Sequence, residues 1–504
     1  MRSFWSSVFV AVSHAALILG VKNGTDACRA LACALPGRVL FLGSPFYNDA
    51  NRYWSNRQAE IRPVCFVRPL STRDVSKAMK ILTESRSPFA VKGGGHTAFA
   101  GGSNIDGGVT IDLLHLNTVT VSPDRKTVSV GSGNRWINVS EALDPLGLAV
   151  VGGREWDVGV PGLILGGGIS YFSGKYGWAC DNVRNFEVVL SSGRIVDASP
   201  WQNQDLYWAL RGGGGSNWGI VTRFDLAAFD QGGVWSNNLI FPGAASRSMI
   251  GLFKSLAVDG LAQDEEAHTY MVATHVPALG GDVIAGFYYH ATPPAEGTIP
   301  PVFQPVNSQP GAIVNTTSVL NISALSKTID DPYGSRKTWW DTTVRLDEGS
   351  ETLLENVMSR FTDFSERLRA QSESAGWRAI LALQPISPNI LQHMQKNGGN
   401  ALGLHPEDGP LAIIQLSVSW ESASLDAWVE DGAAQFVASI EEMAEAEGLL
   451  KGYVYMNYAG KTQDVLGRYG TENYERLTRI AKHWDPDGHL QSLWKGYFQL
   501  GRST

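Results

Sequence analysis

Two glycine runs restrict this chain more than any other feature: Lys92-Gly-Gly-Gly-His-Thr97, followed by Gly101 and Gly102, and Val158-Gly-Val-Pro-Gly-Leu-Ile-Leu-Gly-Gly-Gly168. Without a Cβ, successive glycines reach backbone conformations closed to other residues and admit close approach by a partner. In the first run they can turn several N–H groups toward one point, a concave anion site that suits a pyrophosphate without a lysine contact. The second run, with apolar residues interspersed, makes a tight backbone path suited to lie against a flat ring system. Taken singly, each also fits a packed glycine turn. Neither is the strand-turn-helix GxGxxG or the GxxxxGK[ST] phosphate loop, and Gly131-Ser-Gly133, lacking a third glycine, reads as a turn. The 55 glycines among 504 residues amount to about 11%, against a usual level of roughly 7%, so these runs need a use.

The length gives a prior of about two to four domains, and 43% hydrophobic with 18% charged residues describes a folded chain. The net charge of −8 gives no footprint for nucleic acid. At the N-terminus, Met1 and Arg2 precede an apolar stretch from Val8 to Leu19, which reads as a secretory signal over residues 1–20, too short to span a bilayer comfortably. The mature chain is therefore expected to be secreted or vesicular, free of the membrane and monomeric. Sequons at Asn23, Asn138, Asn315 and Asn321 agree with export. The four cysteines allow three complete pairings, and none has the CxxC spacing of a zinc site, so no metal is expected. A Cys28–Cys65 bridge would tie the mature N-terminus to the start of the glycine-rich region and is favoured; Cys33 and Cys180 stay open. No HExxH or GxSxG motif occurs, and Glu441 and Glu445 read as a solvated helix face.

Hydrophobic periodicity gives an α+β chain. Short strands are expected at Val64–Val67, Phe89–Val91, Val109–Asp112, Thr118–Val121 and Thr127–Val130, with helices at Asp74–Ser85 and around Asn138–Leu146. A strand pair, Asn185–Leu190 and Ile195–Asp197, and a short helix, Asp205–Leu210, follow. Beyond residue 230, strands at Thr269–Thr274, Val283–His290, Arg378–Leu383 and Leu411–Trp420 alternate with helices near Ser246–Val258, Glu351–Ser372 and Leu425–Ala446, an antiparallel sheet backed by helices. Pro293–Pro310 reads as a loop. In the tail, Tyr453–Tyr458 is expected as a strand and Glu472–His483 as a helix.

Three segments in order, KGGGHTAFAGG, VGVPGLILGGGISYFSGKYGWACDNV and RGGGGSNWGIVTRF, resemble the FAD-linked oxidoreductases of the berberine bridge enzyme type, within the vanillyl-alcohol oxidase superfamily. The tail, with Tyr455-Met-Asn457-Tyr458, Tyr469-Gly470, Glu472-Asn473 and Asp485-Pro-Asp-Gly488, is similar to that group's C-terminal signature. The resemblance implies a bilobed protein: a PCMH-type FAD-binding domain at 59–230, a substrate domain at 231–450, and a segment, 451–504, that rejoins the first. It implies flavin contacts from Gly93, Gly94, Gly95, His96, Thr97 and Gly101, and from Val158, Gly159, Gly162, Gly166, Gly167 and Gly168. Further contacts are implied for Tyr176, Gly177, Asp181 and Asn182, for Gly219, Ile220 and Val221, and for Asn457 and Tyr458.

His96 matches the histidine bonded to the flavin 8α carbon in such enzymes. Many relatives attach the ring again through a cysteine three residues before the valine of the second run. Glu155 stands there, so attachment through His96 alone is expected. Val158 lies where a small residue lets oxygen reach the ring, and Tyr458 matches a tyrosine that serves as base in several relatives. Gln415 stands where some carry a catalytic glutamate; an amide is no base but can hydrogen-bond substrate or flavin. Gln384 and Trp420 are candidates for the pocket wall, with core packing the simpler account of Trp420. The implied activity is an oxidase that takes a hydride from an alcohol, amine or C–H centre of a small-molecule secondary metabolite, with oxygen as acceptor and hydrogen peroxide as product. Two alternatives are a carbohydrate oxidase forming a lactone, which the missing cysteine disfavours, and a flavin-bearing scaffold for ligand binding or cyclisation without redox turnover.

Overall fold

The computed structural model describes residues 24–329, 331–371 and 376–501. The expected signal segment and the Asn23 sequon lie outside the described residues. Of the other sequon asparagines, Asn138, Asn315 and Asn321 are all exposed.

Seventeen strands form three sheets among the described residues. The first orders its strands β1 (Val39–Phe41), β2 (Cys65–Val67), β4 (Val109–Asp112) and β3 (Phe89–Lys92), with the last three parallel. Its crossover helix, Thr72–Glu84, starts where Ser71 Oγ accepts from Asp74 N–H and buries Val75, Ala78, Met79 and Leu82, one stripe at helical spacing. Cys28 is bonded to Cys65, which ties the helix at 24–34 to β2; Cys33 is free and exposed, Cys180 free and buried.

The second sheet runs β5 (Val119–Val121), β6 (Thr127–Gly131), β10 (Ile220–Asp230), β8 (Val183–Val189) and β9 (Ile195–Ala198), with β7 (Leu148–Val150) also on β10. The expected 185–197 hairpin is the β8–β9 pair. The eleven-residue β10, which sequence reading passed over beside the glycine run at 212–215, is its central strand.

The third sheet is wholly antiparallel, in the order β14 (Val314–Leu320), β11 (Val234–Pro242), β13 (Gly281–His290), β12 (Ala267–Val276), β16 (Arg378–Ile386), β17 (Leu411–Trp420) and β15 (Arg336–Arg345). Helices Ser246–Ser255, Ser350–Gln371 and Asp426–Ala446 cover one face, where Met271, Leu381, Leu383, Ile414 and Leu416 enter the core. The period of two along a strand sends the alternate set, Tyr270, Val272, Ile380, Ala382, Gln384, Gln415 and Ser417, to the opposite face, which borders a cavity.

Three expectations need correction. Tyr453–Tyr458 forms no strand, because its backbone finds other partners: Tyr455 N–H donates to Asp341 Oδ2 at 2.8 Å, and Met456–Tyr458 is a turn closed by Tyr458 N–H to Tyr455 O. Helix 246–258 stops at Ser255 and continues as a wider turn over Leu256–Gly260. The proline-rich segment contains two helical turns, Pro301–Phe303 and Gln304–Asn307, each with proline in its first turn, where the missing N–H costs nothing. Beyond helix Thr471–Trp484 the tail joins the first sheet, where Lys495 N–H donates to Phe89 O at 2.7 Å, and Ser216 Oγ reaches Phe498 O at 2.6 Å.

Candidate flavin and substrate site

The two glycine runs meet backbone to backbone. A Cβ on Gly94 would lie 2.5 Å from Gly159 N and 2.6 Å from its Cα, and a Cβ on Gly159 would lie 2.4 Å from Gly94 N. Arg135 fastens them together: its guanidinium donates to Gly94 O at 2.7 Å and to Asp157 O, and it pairs with the Asp157 carboxylate at 2.9 Å. The fused loops form one wall of a cavity of about 540 Å³. The start of β10, the tail residues Trp494 and Tyr497 and the open face of the third sheet complete it. The size and largely apolar lining are those of a small-molecule site.

Gly93, Gly94, Gly95, His96, Thr97, Val158, Gly159, Gly162, Gly219, Ile220, Val221, Asn457, Tyr458, Gln384 and Gln415 all line this cavity. The remaining candidates lie off its wall. Gly101 stands behind Gly102 and Ser103, which do line it. Gly166, Gly167 and Gly168 buttress the second run from behind, packed on Asn457, Trp178 and Ala179, with Tyr455 Oη accepting from Gly168 N–H. Tyr176, Gly177, Asp181 and Asn182 knit the chain that follows: Asn182 donates to Tyr176 O and Trp178 O, Asp181 accepts from Asn400, and Gly177 abuts His393. Trp420 is fully buried in the helix-side core and donates to Asp426.

His96 is held flat. Trp54 stacks on its ring at 4.0 Å and 14°, and Lys337 Nζ sits 4.5 Å from the Trp54 ring. Burial, with Arg135 and Lys337 adding to it, pushes the imidazole down to about 3, so the ring is neutral. Among the described residues its buried Nε2 has no hydrogen-bond partner, and Glu155 Oε2 lies 3.6 Å away, beyond bonding distance. Burial pushes Glu155 up to about 8 against the N–H of Asp157, which donates to it at 3.1 Å.

Across the cavity, Tyr458 Oη accepts from Gln384 Nε2 at 2.7 Å and from Arg154 Nη2 at 2.9 Å. Gln384 Oε1 in turn accepts from Arg154 Nη2 at 2.7 Å, so the three side chains close a ring. Arg154 Nη1 lies 3.1 Å from His268 Nε2 and the guanidinium 4.9 Å from the Tyr270 ring. Burial opposes the charge of Arg154, yet the phenols of Tyr458, Tyr270, Tyr171 and Tyr289 hold its pKa above the ordinary value. Burial and that guanidinium keep His268 neutral. Sequence reading missed Arg154, His268, Tyr270 and Trp54; no motif marks them, since they meet only once the third sheet is laid over the second glycine run.

Residues 63–199 match the family model described as "FAD binding domain". Over 513 residues, 98% of this chain and 98% of the relative, the sequence is 35% identical to the FAD-dependent monooxygenase FUP4 of Fusarium proliferatum (strain ET1). The solved BBE-like 1 of Physcomitrella patens superposes with a TM-score of 0.75 at 19% identity, covering 95% of this chain and 99% of that one. The chain belongs to the family of FAD-dependent oxidoreductases that includes FUP4, and it shares the fold of the berberine bridge enzyme-like proteins.

The glucooligosaccharide oxidase of Acremonium strictum, described as carrying a 6-S-cysteinyl, 8α-N1-histidyl FAD, shares the fold at TM-score 0.74 and 18% identity over 95% of this chain and 99% of that one. The residues of this oxidoreductase fit FAD. Its paired loops meet where neither Gly94 nor Gly159 leaves room for a Cβ, and the His96 imidazole that lines the cavity is neutral and stacked on Trp54.

Proposed function

We propose that this oxidoreductase is a secreted or vesicular oxidase that carries FAD on His96 alone. It takes a hydride from an alcohol, amine or C–H centre of an apolar secondary metabolite and passes the electrons to oxygen, giving hydrogen peroxide. Bound FAD supplies the hydride acceptor. The glycine runs and Gly219–Val221 would hold it, and Glu155, standing where a second linkage would need a thiol, leaves His96 as the point of attachment.

The observation that carries the catalytic reading is the pair of donors on Tyr458 Oη. With Arg154 and Gln384 both donating to it, the oxygen can direct its own proton only into the cavity, and the adjacent guanidinium balances negative charge on it. Tyr458 is thereby set to exchange a proton with a substrate lying on the open sheet face. Arg154 and Gln384 position it, while Trp339, edge-on at 5.5 Å, and Tyr455, edge-on at 4.8 Å, fix its ring. Gln415, diagonal to Gln384 on the neighbouring strand, offers the substrate an amide. Val158 leaves room for oxygen at the loop wall.

The lining from Tyr270, Val272, Phe287, Ile329 and Ile380 favours an apolar metabolite over a sugar. The disulfide and the three exposed sequon asparagines support export. The test is anaerobic bleaching of the protein-bound flavin by a panel of polycyclic alcohols and amines set against oligosaccharides, followed by peroxide measurement in air. Bleaching by sugars alone, or bleaching without peroxide on readmission of air, would overturn the reading.

A further inference from the structure

We propose that Glu155 is the proton acceptor for the bond between His96 and the flavin, so that the residue in place of a second linkage serves the making of the first. The inference rests on the histidyl attachment proposed above.

The Glu155 carboxyl lines the cavity and accepts backbone hydrogen bonds, from Asp157 N–H at 3.1 Å among them, so it is held in place beside the loop wall. Among the described residues the His96 imidazole is the one basic side chain within 4.0 Å of Glu155, at 3.6 Å. Seen from the imidazole, Trp54 covers the ring face and nothing else polar reaches Nε2. The proposal assigns the imidazole proton to Nε2, the nitrogen nearer the carboxylate, which leaves the lone pair that forms the bond on Nδ1.

The bookkeeping of the step is then closed. Nδ1 bonds to the flavin 8α carbon, a C–H bond of that methyl group breaks with its proton lost to solvent, and the Nε2 proton passes to Glu155. The electron pair of the broken C–H bond is left on the ring, which gives both electrons, with two protons, to molecular oxygen, forming hydrogen peroxide. Only the ionised carboxylate can accept the proton. Because burial holds Glu155 up at about 8, attachment accelerates as pH rises through that range. The other charges and titratable groups facing the pair are Arg135 and Asp157, Lys337 on the far side of Trp54, and the Tyr171 phenol; burial, reinforced by the Arg135 and Lys337 cations, keeps His96 neutral throughout.

The experiment uses full-length chain produced flavin-free in a riboflavin-starved host and incubated with FAD in air between pH 6 and 9. Flavin that stays with acid-precipitated protein is followed against time, and reversible FAD binding is measured separately at early times. The expected result is a wild-type rate that rises about tenfold from pH 7 to pH 9. Glu155→Gln is expected to be at least tenfold slower and flat with pH, while binding FAD within about twofold of wild type, and Glu155→Asp to recover part of the pH-dependent rate. A Glu155→Gln rate equal to wild type overturns the inference, as does a flat wild-type profile, which decides the matter even if the glutamine variant fails to fold. Loss of reversible FAD binding in a folded Glu155→Gln overturns it too, by making the residue structural. Absence of acid-stable flavin in wild type at every pH overturns the histidyl reading itself, a different failure from any of these.

Discussion

Replacing Gly94 by alanine tests whether the two glycine runs act as one wall. The new methyl would sit 2.5 Å from Gly159 N and 2.6 Å from Gly159 Cα, both backbone atoms. Ordinary contact lies near 3.4 Å, so the loops must part by about 0.9 Å, and overpacking on this scale costs roughly 1–3 kcal/mol where side chains can adjust. Here they cannot. The second loop is pinned by Trp136 N–H to Val158 O and Val160 N–H to Asn134 O, both at 3.0 Å. Arg135 holds Gly94 O and Asp157 O with one guanidinium, so parting the loops also weakens one of those bonds, at about 1 kcal/mol. The expected penalty is about 2–4 kcal/mol. An unfolding entropy of about 2.1 cal/mol/K per residue gives roughly 1 kcal/mol/K for the whole chain, so Tm falls by about 2–4 °C. Because the distortion is centred on the cofactor wall, flavin content should fall more sharply than Tm. Gly159→Ala should match it, and the double variant should cost less than the two singles added, since one displacement relieves both. The control is Gly251→Ala, on helix Ser246–Ser255 with open space around its Cβ, which should leave Tm unchanged or raise it slightly. A Gly94→Ala protein with wild-type Tm and full flavin would refute the claim that backbone contact between the runs builds the site.

Tyr458→Phe should slow anaerobic flavin reduction by about 10²–10⁴-fold with flavin content intact, as expected for loss of a proton-transferring group; an unchanged rate in stopped flow would remove that role. Arg154→Gln deletes a charge-assisted hydrogen bond of about 1.5–3 kcal/mol to Tyr458 Oη and should slow reduction about 10- to 100-fold, with Arg154→Lys intermediate. A separation of 37 residues between Cys28 and Cys65 corresponds to about 3–4 kcal/mol of loop-closure entropy, so Cys65→Ser should lower Tm by about 3–4 °C in a thermal melt; an unchanged melt would mean that the helix at 24–34 is held by packing alone.

What the sequence made legible was local. Strands β4 and β17 lie at the residues where alternation placed them, and the three long helices of the second half start and stop within a few residues of their periodic stripes. Strands β10, β11, β14 and β15 were passed over because their alternation is interrupted by polar or small residues that the sheet tolerates, such as the Asn237-Asn238 pair in β11, where Asn237 bonds across to Asn315 and Thr317 on β14. The glycine runs stand out by residue type over a few positions, and the role expected of His96 came from the resemblance that contiguous motifs carry. Arg154 does not stand out: in sequence it is a lone arginine after Gly152-Gly153, and its meaning comes from Gln384 and Tyr458, 230 and 304 residues away. The run from Tyr176 to Asn182 lies off the cavity wall. The resemblance implied flavin contacts there; within the protein Asn182 donates to Tyr176 O, while Lys396 and Asn400 donate to Tyr176 O and Asp181.

The misread tail shows why a departure from regular structure belongs at this site. A strand through Tyr453–Tyr458 would send Tyr455 and Tyr458 to opposite faces. The turn at Met456–Tyr458 instead brings the two rings edge to face at 4.8 Å. Tyr455 Oη then accepts the N–H groups of Gly168 and Ile169 at 3.1 and 3.2 Å, bracing the second glycine run from behind, while Tyr458 enters the cavity and meets Arg154, which leaves that same run just upstream. One short segment thus braces the second glycine run and presents Tyr458, the side chain proposed to transfer the proton, into the cavity beside it. A substitution that straightened the turn would therefore disturb flavin retention and catalysis together, although Tyr458 itself lies on the substrate side.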